Sequence, residues 1–330
     1  MMRDSTIDFL RGFMMLYVIF VIHGLCWFHI ISDTSILFSL LLFEMPIIFY
    51  IAGAAQKLSI PKTLRQYAKS RFLRVMVPYL IWCIGAIFVL LVWGDIKSDW
   101  IHLITCSSLK SVPYVWHVWF IYPYLIVSFL GFYLIKAYRK WDTRFVFFYS
   151  VIIAVVVALM DYHEVLHVQS KIVRPVLVYS VFYVLGYTYK EEISIHTLLS
   201  ILAVLIITYL SLIFSHTYSY ATQLNKFPPN FAFLCYGGIA TMVLSLCLRL
   251  DKVAKPPYIC NLLQFANTYG FELYMYQCFA MQGYAFLAKM FWPEASPWLK
   301  YVLILSIVPF LLFPMAYIAN KINKKICRVI

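Results

Sequence analysis

Apolar residues run along this chain in stretches of about 20, separated by short polar breaks. As helices, such stretches are long enough to cross the roughly 30 Å hydrocarbon core of a bilayer. They fall near residues 9–30, 35–54, 73–93, 114–135, 145–160, 174–189, 197–215, 230–248, 264–287 and 301–319. The pattern is not the ten-residue alternation of a membrane barrel, so each stretch is read as a helix that satisfies its own backbone. It predicts an all-α integral membrane protein, a single bundle of about ten transmembrane helices with residues 1–330 as one domain. The first stretch carries Asp8 and Arg11, is too long for a cleaved leader and has no small-residue cleavage site before the next span. It is therefore expected to stay on the protein.

Composition agrees with this reading: 63% of the 330 residues are hydrophobic and only 12% charged, against roughly a quarter charged in soluble domains. A net charge of +13 raises the question of nucleic acid, but that needs a solvated basic domain, and the pattern leaves no room for one. The charge is better explained by topology. With the N-terminus in the cytoplasm, 20 of the 27 Lys and Arg fall on that side. The seven outside are Lys97, Lys110, Lys171, Arg174, Lys226, Lys289 and Lys300. This asymmetry is the positive-inside signature; an even number of spans then puts both termini in the cytoplasm, with membrane lipids as constant partners of a multi-pass protein of the inner, cytoplasmic membrane. The eight cysteines are scattered without a CxxC pair, which indicates neither a disulfide framework nor a metal site.

Ionisable residues inside a membrane are costly and mark function or pairing. They are few here: Asp8 and Arg11 at the start of the first span, His23 deeper in it, Glu44 in the second, His117 in the fourth and Glu272 in the ninth. Asp8 and Arg11 are three apart and can neutralise one another on a helix. His23 lies about 24 Å along the span, where a neutral imidazole can act as a base or simply hydrogen-bond a neighbouring helix.

Five stretches, taken in order, resemble the acyltransferase 3 family of multi-spanning membrane proteins, which O-acylate cell-surface carbohydrates and related acceptors. "IDFLRGFMMLYVIFVIH" is similar to the family's opening I-D-x-L-R-G run ending in a His, and "MPIIFYIAG" to its second-helix pattern closing on Gly. "RFLRVMVPYLIW" is similar to the basic R-x-x-R followed by P-Y, and "WHVWFIYPYLIV" to an H-L-W-F segment. "TYGFELYMYQ" is similar to S-x-x-I-Y-x-x-H, with Gln277 where the family often has His. The resemblance spans Ile7 to Gln277. It implies that Arg11 and His23 are catalytic, with no tightly bound cofactor and with acyl-CoA, foremost acetyl-CoA, as the donor reaching the protein from the cytoplasm. Eleven residues, Gly12 to Ile22, separate Arg11 from His23, one more than the family usually has. On a regular helix that turns the two side chains about 120° apart instead of about 20°. A one-residue π-bulge would restore the common face.

The chemistry expected is acyl transfer from a thioester to a hydroxyl, with His23 taking the hydroxyl proton and a cation supporting the developing charge. No G-x-S-x-G elbow is present, and a thioester is already activated, which favours direct transfer over an acyl-enzyme. His117, Trp119, Tyr122, Glu272, Tyr274 and Gln277 are candidates to line the acceptor site; for the aromatic pair around His117 an interface belt fits as well. Lys69, Arg71 and Arg74, in the most basic loop, are candidates for the CoA phosphates, although the same loop fits a pure topology anchor equally well. The acceptor is expected to be a cell-envelope carbohydrate, exopolysaccharide or lipid-linked glycan. The rival reading is a transporter or flippase component of a polysaccharide pathway, although no inverted repeat with paired broken spans supports it.

Overall fold

A computed structural model of the protein describes residues 4–59, 63–92, 116–162, 167–250 and 260–329. The outside cations Lys97 and Lys110, and Lys62 of the basic loop, lie outside the described residues. Among the described residues the main helical elements are α1 Ser5–Trp27, α2 Ile36–Lys57, α3 Leu64–Ile87, α4 His117–Tyr162, α5 Val173–Thr188, α6 Ile195–Phe214, α7 Phe231–Arg249, α8 Cys260–Thr268, α9 Gly270–Phe291 and α10 Pro297–Val329. Among the described residues there is no strand.

Among the described residues, seven helices are long and apolar enough, by length and composition, to cross a membrane. The predicted spans at 114–135 and 145–160 are both helical and are joined through the polar stretch 136–144, where a kink at Asp142, with φ 51° and ψ −142°, separates two helices within α4. α5 is the C-terminal, apolar part of a helix that begins at His167, and α9 is diluted by Glu272, Gln277 and Gln282.

The chain divides into two compact units. The first comprises residues 1–10, 31–61 and 126–260. Within it, α2 and α5 approach backbone to backbone: a Cβ on Gly53 would stand 1.8 Å from the Tyr183 carbonyl oxygen, and one on Gly186 2.1 Å from that of Tyr50. Small residues at such a crossing are how membrane helices gain close packing without a hydrophobic drive between them. Beside the crossing, the buried Gln56 Oε1 accepts from the hydroxyls of Tyr183 (2.6 Å) and Tyr187 (3.1 Å).

Glu44 of α2 is buried in an ion pair with Lys226, on the short turn Thr222–Lys226. Lys226, counted above as an outside charge, is thus committed to a carboxylate inside the protein. Asp161 closes another buried group, accepting from Arg174 Nη1 (2.8 Å), the Tyr218 hydroxyl (2.8 Å) and the Phe231 backbone N–H (2.8 Å). Burial and the neighbouring Asp161 carboxylate both push the Tyr218 hydroxyl pKa up. Asp4 receives Lys190 Nζ (2.6 Å), and Glu191 receives Lys57 and the Tyr138 hydroxyl (2.6 Å). Burial alone would raise the Asp4 pKa, but Lys190 and the Ile7 N–H outweigh it and leave it below its ordinary value. The hydrogen bonds from Lys57 and Tyr138 hold Glu191 low as well.

The second unit comprises residues 11–30, 62–125 and 261–330. Its core is built by α1, α8, α9 and α10 around Ile19, Trp27, Leu273, Met281, Tyr284, Ile304 and Val308. Gly12, the glycine of the opening motif, lets α1 meet α8: a Cβ there would stand 2.1 Å from the Leu263 carbonyl oxygen. α1 is not a regular helix. Residues Tyr17–His23 form a π-helical segment, placing a wider turn between Arg11 and His23 where the spacing of the sequence asked for one. α3 has a second π-segment, Phe72–Met76, which holds Arg74.

Candidate functional site

His23 closes the π-segment of α1 and is 6% exposed. Its ring stacks on Trp27, one turn further on, with centroids 4.4 Å apart and planes 12° apart. Nδ1 lies 2.7 Å from Gln277 Oε1 of α9. From the same helix Tyr274 comes to 6.2 Å from the His23 ring, and its hydroxyl donates to the His117 backbone carbonyl at 2.6 Å. That bond ties the 3₁₀ turn Trp116–Phe120, which opens α4, to α9. His117, fully buried, faces His23 (6.3 Å), Tyr274 (5.1 Å), Trp27 (5.7 Å) and Trp82 of α3 (6.0 Å). Phe120 packs on Tyr274 at 5.6 Å. Four elements of the second unit thus converge on two imidazoles walled by aromatic rings.

Of the residues singled out in the sequence, His23, His117, Tyr274 and Gln277 meet here. Trp119 stands one place further out, half-buried against Phe120, and Tyr122 is half-buried. Arg11, in the α-helical turns before the π-segment, is exposed, in contrast to the buried His23 that closes that segment. Glu272 is buried near the start of α9, where one carboxylate oxygen, Oε1, accepts from Asn320 Nδ2 (2.8 Å) and Asn323 Nδ2 (3.0 Å) of α10. Arg71 lies over the Tyr67 ring (5.1 Å to its centroid) and reaches the Tyr124 hydroxyl at 3.5 Å, whereas Lys69 and Arg74 are exposed.

Trp27 and Trp82 escaped the sequence reading. Trp27 carried a usable signal, since four places beyond His23 is the same helix face. Trp82 stood at the end of a matched motif but, as one aromatic in an apolar run, carried no mark of its own. Among the described residues no three His, Cys, Asp or Glu side chains gather as metal ligands would.

An all-helical, multi-pass membrane protein with an enclosed, imidazole-centred site is the class that these features define. The family model for an acyltransferase domain matches residues 4–317, and the chain belongs to that family, acyltransferase 3; it is a membrane acyltransferase. Searches of curated proteins and of solved structures returned no match.

Proposed function

We propose that this protein moves an acyl group, foremost acetyl, from cytoplasmic acyl-CoA to a hydroxyl of a cell-envelope carbohydrate or lipid-linked glycan. The observation that carries the reading is the buried His23, oriented by Gln277 and stacked on Trp27 in a site that also holds His117. In the reaction His23 removes the acceptor hydroxyl proton as the oxygen attacks the thioester carbonyl. The C–O bond of the ester forms, the C–S bond breaks, and the CoA thiolate leaves with the proton returned by the imidazolium. No group other than donor and acceptor is consumed. The aromatic walls exclude water, which would otherwise take the acyl group, and stacking on Trp27 stabilises the imidazolium. Lys69 and Arg74, exposed on the basic start of α3, and Arg71, braced by two tyrosines, are the cations for the donor's phosphates.

The test is transfer of radiolabel from acetyl-CoA to membrane glycan by purified protein in lipid. Wild type transfers label, and His23→Ala, inserted at normal levels, does not. Retention of more than a few per cent of the transfer by His23→Ala would reject His23 as the base.

A further inference from the structure

The geometry points to Gln277 as the positioning residue that locks His23 in its Nδ1–H tautomer, leaving Nε2 as the nitrogen that accepts the proton. This deepens the acyltransferase reading and rests on it for the meaning of that proton.

An amide side chain can be placed two ways round, so an oxygen seen beside a histidine does not by itself fix a tautomer. Here a second contact decides. Gln277 Nε2 lies 2.8 Å from the backbone carbonyl oxygen of Tyr274, one turn back on α9. A carbonyl oxygen only accepts, so the group facing it must be the NH₂; reversing the amide would set two oxygens with no hydrogen between them at that distance. Oε1 is therefore the atom facing His23, and because Oε1 also only accepts, the hydrogen of the 2.7 Å contact belongs to Nδ1. In a neutral imidazole the other nitrogen, Nε2, then carries the lone pair.

The chain of donors runs one way, from His23 through Gln277 to the α9 backbone. Its last acceptor is part of a helix and cannot turn. Gln277 is fully buried, and the stack on Trp27 holds the plane of the ring. When the ring is protonated Nδ1 remains the donor to Gln277, so the proton taken up and given back is always the one on Nε2. An amide does this without adding charge; a carboxylate in its place would also orient the ring but would hold the imidazolium more tightly.

The direct measurement is ¹⁵N NMR of ¹⁵N-histidine-labelled protein in bilayers, with the His23 signals assigned by their loss in His23→Ala. The neutral ring should show a protonated Nδ1 and a bare Nε2. In Gln277→Leu the fixed tautomer should give way to a mixture, and kcat should fall on the order of 10- to 100-fold, the usual cost of losing a group that orients an active one, with the donor KM little changed. Gln277→Glu should keep the Nδ1–H tautomer and much of kcat, but move the acid limb of the pH–rate profile to higher pH, because a more basic His23 is unprotonated only there. A bare Nδ1 in the wild type, which needs no variant to fold, would overturn the proposal. So would a Gln277→Leu protein with wild-type kcat and tautomer. If the wild-type tautomer is as stated but His23→Ala still transfers label, the failure lies in His23 as the base and not in the hydrogen-bond assignment.

Discussion

Residue by residue, this protein spends its few membrane-buried polar groups in small closed sets. The Glu44–Lys226 pair shows the energetics. Removing one partner strands a charge, at a cost of roughly 3 to 5 kcal/mol, whereas replacing both by apolar residues is often neutral. Lys226→Met should therefore lower the melting temperature strongly, and Glu44→Leu together with Lys226→Met should recover most of the loss in thermal unfolding of the purified protein. The donor cations give a second test at this scale. Arg74→Ala and Arg71→Ala should each raise the apparent KM for acetyl-CoA several-fold without altering acceptor dependence, since a charge-assisted phosphate contact is worth about 1.5 to 3 kcal/mol before screening. Steady-state kinetics with varied donor would show it, and an unchanged KM in both would move the donor site elsewhere.

At the scale of the element, the family-like motifs acquire physical reasons. The glycine after Arg11 is required because α1 and α8 touch there through backbone, and Gly53 because α2 and α5 do. Gly53→Val should destabilise the protein by at least the 1 to 3 kcal/mol typical of overpacking, since the Tyr183 carbonyl is backbone and cannot swing away. Thermal unfolding of the variant against wild type checks this. The π-segment Tyr17–His23 absorbs the extra residue in α1 and ends on the very histidine whose facing it sets. Deleting one residue of that segment, Val21 for example, should leave a regular α-helix of the commoner spacing and keep His23 function better than a deletion in the α-helical turns before it; transfer activity of the two deletions decides.

For the whole molecule, pH should act through Asp4 and Glu191, whose folded pKa values lie below their ordinary 3.8 and 4.5. A lowered carboxylate contributes stability that is fully present above its unfolded pKa and is lost as pH falls through the folded one. Thermal stability should therefore hold down to about pH 5 and decline below about pH 4, with a shallower decline in Lys57→Met, which removes the main cause of the Glu191 shift.

Hydropathy and charge, read along the chain, were enough to determine that this is a membrane-embedded helical protein, because the cost of leaving backbone polar groups unsatisfied in lipid acts on every residue of a span in the same way. The motif spacings carried the family and even the need for a wider turn before His23, since one residue too many on a helix is a local, countable fact. Tertiary structure alone decided the rest. That Lys226 faces Glu44 and not water, and that His117, Trp27 and Trp82 wall one site, depend on which surfaces meet. His23 and Gln277 are 254 positions apart, and no local preference links them. Their hydrogen bond exists because packing brings α1 and α9 to one another with a π-turn in register, and because a buried amide and a buried imidazole, once denied water, must satisfy each other.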